Sequence, residues 1–112
     1  MDTDRRAQWL RGVIDLCVLG ALRDGESYGY EIARRLEAAG LGPVPGGTLY
    51  PVLLRLERTG QLVADWRAGS GGPARKYYRI SPQGRQTLAD AGADWRRFTA
   101  GAGALMTGVA TP

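Results

Sequence analysis

Leu88, Ala91, Trp95, Phe98, Ala102, Leu105 and Val109 follow one another at alternating steps of three and four residues. That spacing is a heptad seam, which lets one helix pack along another over its whole length. The helix it predicts has a clear start, with Ser81 placed as N-cap and Pro82 suited to the first helical position. Gly92, Gly101, Gly103 and Gly108 weaken it, since each glycine inside a helix costs ~1 kcal/mol relative to alanine. The helix is therefore expected to depend on a partner surface, with fraying in its Gly/Ala-rich tail.

The rest of the chain must supply what this helix stands on. At 112 residues there is room for one modest core, and 44% apolar with 23% charged residues is the balance of an ordinary folded domain. Histidine is absent, which removes the commonest general base and metal ligand together. The single cysteine, Cys17, permits neither an intrachain disulfide nor a thiolate metal site, and reads as a small buried hydrophobe. No catalytic set or cofactor is expected. The apolar run from Val13 to Leu22 is interrupted by Asp15 and is too short to span a bilayer. Asp2-Thr3-Asp4-Arg5-Arg6 precedes any apolar run, so no signal peptide is visible. The expected setting is the cytoplasm.

Upstream, the apolar period marks three helices. The first is predicted from Arg5 to Leu22 on a stripe of Leu10, Val13, Cys17 and Ala21. The second runs from Tyr28 to Ala39, with Ser27 as N-cap and Tyr28, Ile32 and Leu36 inward. After a Gly/Pro loop over residues 41–47, the third runs from Thr48 to Thr59. It buries Leu49, Leu53 and Leu56, and turns Thr48, Pro51, Arg55 and Arg58 outward. Two strands follow, residues 62–67 and 75–80, joined by the glycine-rich segment 68–74. Net charge is +4, and residues 61–80 hold Arg67, Arg75, Lys76 and Arg79 against Asp65 alone.

Three helices followed by a hairpin with a glycine-rich tip is the order of a winged helix-turn-helix. The expected fold class is α+β, mostly α: residues 1–80 form the winged domain and 81–112 a C-terminal dimerisation helix. In that plan the third helix enters a major groove of DNA and the hairpin wing touches the flanking backbone. Arg75 and Lys76 supply cations for phosphates. Being adjacent on a strand, they point to opposite faces.

Several motifs also resemble the PadR-type transcriptional regulators over nearly the whole chain. They are Leu10-Arg11-Gly12 with Asp15-Leu16, Tyr28-Gly29-Tyr30-Glu31-Ile32, Gly47-Thr48-Leu49-Tyr50-Pro51, Arg55-Leu56-Glu57, and Gly72-Pro73 followed by Arg75-Lys76-Tyr77-Tyr78. The single C-terminal helix is similar to the small branch of that family. The resemblance implies a homodimeric repressor on a pseudo-palindromic operator. It also implies release, in some members, by planar aromatic compounds held between subunits against a tryptophan, whose place Trp95 takes.

Residue by residue, DNA contacts are expected from Tyr30, Gly47, Thr48, Tyr50, Pro51, Arg55, Gly72, Arg75 and Lys76. Thr48 is alternatively only an N-cap, and Tyr50 alternatively packs on the wing. Arg55 either reads guanine or pairs with Glu31 or Glu57. Asp94 beside Trp95 favours a cationic ligand, or pairs with Arg97 or Arg6. The dimer interface is expected from Leu88, Trp95, Phe98, Ala102 and Leu105, and an effector site from Trp95, Trp9, Val13 and Ala91. The competing readings are a nucleic-acid module without ligand sensing and a protein-interaction winged helix.

Overall fold

A computed structural model describes residues 2–69 and 71–108. Helix α1 spans Thr3–Arg11, and the Asp2 carboxylate caps it by accepting from the Arg5 N–H at 2.8 Å. The single helix expected up to Leu22 is in fact two. Gly12 and Val13 donate to the carbonyls of Trp9 and Leu10 in tight terminal turns, and α2 restarts over Ile14–Ala21. Gly12 keeps helical dihedrals, and the break is made at Val13, which takes φ -132° and ψ 2°. The bend re-phases the buried face. Leu10, Ile14, Val18, Leu19 and Leu22 are buried, whereas Val13, Cys17 and Ala21 of the expected stripe are only partly so.

Ser27 is not a helix cap. With Tyr28 it forms a short strand, β1, pairing antiparallel with Tyr78 and Tyr77. The next helix, α3, covers Gly29–Leu36 and turns Ile32 and Leu36 inward as predicted. It widens over Glu37–Leu41 but keeps helical dihedrals through Ala39, the expected end, until Gly40 takes φ 87° and stops it. Helix α4 spans Gly46–Arg58 and buries Leu49, Val52, Leu53 and Leu56. It begins two residues before the predicted Thr48, with Pro45 at the N-cap, so Thr48 is inside the first turn rather than capping it.

Strands β2 (Leu62–Gly69) and β3 (Gly72–Ile80) complete a sheet of order β1-β3-β2. Their ladder runs from Leu62↔Ile80 to Gly69↔Gly72, with an irregularity between Arg67 and Gly69. The loop expected over 68–74 is thus mostly strand; Ser70 at its tip lies outside the described residues. Pro73 is tolerated because β1 reaches only Tyr77 and Tyr78, leaving β3 an edge strand at that point.

Helix α5 spans Pro82–Thr107, with the Ser81 hydroxyl accepting from the Gly84 N–H at 3.0 Å. It is helical through Gly92, Gly101 and Gly103 to a left-handed Gly108. Val109, the last seam residue, lies outside the described residues. Of the helix's 26 residues only Gly84 is buried, pressed against the turn at Gln61. The core lies between α1–α4 and one face of the sheet, where Tyr78, Ile80 and Leu62 close it.

Candidate nucleic-acid interface

Helix α4 is held by its apolar side and presents the other to solvent. Gly47, Thr48, Tyr50, Pro51, Leu54, Arg55 and Arg58 are all exposed. Pro45 caps only through its carbonyl, which accepts from Thr48 and Leu49 at 2.9 and 3.0 Å. The N–H groups of Gly46 and Gly47 belong to the first turn, where a helix has no internal acceptor and carries its positive dipole end.

Tyr50 does not lie on the wing. Its ring rests on Gly29 at the start of α3, so close that a Cβ there would meet the phenol oxygen at 2.6 Å. Glycine is required at that position for this approach alone. Tyr30, on the neighbouring turn, is 64% exposed, and the Arg34 guanidinium lies 5.9 Å from its ring centre. Tyr28 does not join the helix core. It is half-buried at the sheet edge, tilted against Tyr77 at 5.5 Å, with the Arg75 guanidinium 4.5 Å over its ring.

The two cations with the strongest expected roles are engaged within the chain. Arg55 pairs with Asp15 of α2 at 2.5 Å, not with Glu31 or Glu57. Glu31 instead holds Arg35 at 2.6 Å. Lys76 pairs with Glu57 at 2.8 Å, and this hydrogen bond raises its pKa above the ordinary lysine value. Arg67 is gripped by both Glu26 oxygens at 2.5 and 2.6 Å, and its hydrogen bond pulls the Glu26 pKa down. Arg34, Arg58 and Arg75, by contrast, have no carboxylate partner among the described residues. Arg34 was not foreseen in the sequence, because helical periodicity marks it only as an outward charge. The Asp15–Arg55 pair joins positions forty apart, where no local pattern could reveal it. Gly72 lies at the exposed wing tip.

A second surface is formed by α1, Leu41 and α5. Trp9, Val13 and Leu41 face Trp95, Phe98 and Ala102 across an apolar groove of about 410 Å³. Trp95 and Phe98 stack at 6.1 Å and 22°. Ala91 does not line the groove. Leu88 packs on the chain's own core, and Leu105 is 89% exposed. Asp94 pairs with Arg97 at 2.8 Å rather than with Arg6.

Helices α1–α4, with α4 facing outward, and a three-stranded sheet define a winged helix-turn-helix protein. The model of the transcriptional regulator PadR-like family matches residues 18–90. The chain belongs to that family, whose members are transcription regulators and not enzymes. Transcriptional regulator Rv3488 of Mycobacterium tuberculosis is 37% identical over 83 residues, covering 74% of this chain and 76% of that protein. A PadR family transcriptional regulator from Eggerthella lenta matches with TM-score 0.79 and 35% identity, covering 89% and 87% of the two chains. Bacillus subtilis PadR, solved in complex with operator DNA, matches with TM-score 0.64 and 26% identity, over 70% of this chain and 45% of that one. Among the described residues no helix is long and apolar enough to cross a membrane.

Proposed function

We propose that the chain is a homodimeric repressor that binds a pseudo-palindromic operator, one α4 to each of two major grooves about one helical turn (~34 Å) apart. The observation that carries this reading is α5. It runs ~39 Å at the helical rise, yet leaves Trp95, Phe98, Leu105 and Met106 at 43, 68, 89 and 73% exposure. Side chains of this kind, repeated along one helix, mark an interaction surface. A second copy lays its own α5 and α1 against them, and the apolar groove becomes the wall of a space between subunits. Leu88, engaged with its own core, contributes little there; Trp95, Phe98, Ala102 and Leu105 carry the contact.

Gly47, Thr48 and Pro51 approach the duplex at the start of α4. Tyr30 and Tyr50 offer hydroxyls to phosphates, and Arg75 with Gly72 brings the wing to the flanking backbone. Asp15 and Glu57 compete with the duplex for Arg55 and Lys76. Arg34 and Arg58 are therefore added as phosphate contacts. A planar aromatic molecule stacked on Trp95, against Trp9 and Val13, shifts the angle between the two α5 helices and so the separation of the α4 pair. It acts only through its differing affinity for the two dimer geometries.

Sedimentation and gel-shift titration test this together. The wild type is expected to sediment as a dimer and to select fragments of its own genome over random duplex. Phe98→Asp should give monomer with lost selection. A monomeric wild type, or no selection, overturns the proposal. Tryptophan fluorescence that ignores a panel of planar aromatic compounds would remove the sensing step and leave a constitutive regulator.

A further inference from the structure

Trp66 enters none of the sequence motifs, yet it is the most exposed tryptophan, at 69%. It sits in β2 directly opposite Lys76. Strand alternation puts it on the same face as Leu62 and Ala64, the face that closes the core at the base of the hairpin. Further out the hairpin overhangs the helices, and Trp66 looks across open space. That space is a cleft of about 570 Å³. Trp66, Ala74, Arg75 and Lys76 line its wing side, and Tyr30 and Tyr50 its helix side. Three large rings thus flank one cleft, each more than half exposed. Trp66 has no ring partner among the described residues. The wing-side rim is cationic: Arg75, whose guanidinium lies 4.5 Å over the Tyr28 ring, lacks a carboxylate partner among the described residues, and beside it Lys76 is held by Glu57.

Aromatic walls beside a cationic rim complement a sugar–phosphate backbone, which alternates apolar deoxyribose with charged phosphate. A protein partner's acidic peptide would match the rim but leave the rings uncovered. We infer that this cleft grips one strand's backbone of duplex DNA where it passes between α4 and the wing, with the Trp66 indole packed on deoxyribose. The Tyr30 and Tyr50 hydroxyls donate to the phosphate on one side, and Arg75 neutralises the phosphate on the other. The inference rests on the DNA-binding reading above and adds to it an uncharged contact that reads no sequence.

Equilibrium binding of the intact protein to duplex DNA across a salt series tests it. Trp66→Ala should weaken binding to a random-sequence duplex and to a selected genomic duplex by the same factor, about five- to tenfold for the apolar area lost. The slope of log K against log salt should not move, because an indole releases no counterion. Trp66→Phe should retain most of the affinity, and both variants should melt like the wild type. Arg75→Ala, run beside them, should flatten the slope by ~0.9. Unchanged affinity of Trp66→Ala, alongside a wild type that binds, overturns the inference and leaves the DNA-binding reading standing. So does a loss confined to the genomic duplex, or single strands bound as tightly as duplex through Trp66. A wild type that binds no duplex overturns both.

Discussion

Gly29→Ala isolates the coupling between the starts of α3 and α4. Gly29 has no left-handed backbone conformation, so alanine is compatible with its local geometry. The new methyl group would lie 2.6 Å from the Tyr50 phenol oxygen and 2.7 and 2.8 Å from Cε1 and Cζ. Carbon contacts are comfortable near ~3.5–4.0 Å, so the ring must retreat by about an ångström. Tyr50 is 53% exposed and can swing into solvent without moving the core. Stability should change by less than ~1 kcal/mol, because alanine's helix propensity offsets the lost contact. DNA affinity should fall much further. A hydrogen bond to a charged phosphate contributes ~1.5–3 kcal/mol, about ten- to hundredfold in binding. Fluorescence anisotropy on labelled duplex, with thermal melting as control, measures both. In a Tyr50→Ala background, Gly29→Ala should cost less than ~0.5 kcal/mol, since both changes remove the same group. Additive losses, or a collapse in melting temperature with affinity retained, would refute the reasoning.

Asp15→Asn frees Arg55 from a pair whose side chains are 54% and 40% exposed. Such a pair contributes only ~0–1 kcal/mol, so melting should barely move and operator affinity should rise by up to ~5-fold; weaker binding would show that Asp15 instead aims Arg55 at the DNA. Gly84→Ala drives a methyl group into the Gln61 carbonyl oxygen and to 2.9 Å from Ile80 Cγ1. Backbone cannot step aside, so urea unfolding should register a loss of ~1–3 kcal/mol, and an unchanged midpoint would contradict that packing. At high pH two groups act in the same direction. The Glu57 hydrogen bond raises the Lys76 pKa, and burial raises that of Tyr78. Both hold their protons longer folded than unfolded, so their contribution is complete below pH ~10 and is lost as pH rises through the folded values. Tyr78→Phe should flatten that alkaline decline in melting temperature; a decline as steep as the wild type's would exclude Tyr78 as a source.

The sequence by itself determined the order of elements and the inward residues wherever one period held without interruption. Leu49, Leu53 and Leu56 in α4 and the Ser81 cap of α5 are legible, because side-chain direction in a helix repeats at 3.6 residues regardless of surroundings and a cap residue precedes the first turn. It did not reveal the break at Val13, since an apolar run that is buried on several sides carries too little periodicity to mark a bend. Ser27 serves equally as cap or strand residue by its type, and only the position of Tyr78 decides which. The site shows the same division. Which cations lie outward was readable; that Arg55 and Lys76 are already held by Asp15 and Glu57, leaving Arg34 and Arg75 without carboxylate partners among the described residues, was not. Those pairings join residues far apart in the chain, and no local rule records which charges the fold will bring within a few ångströms of each other.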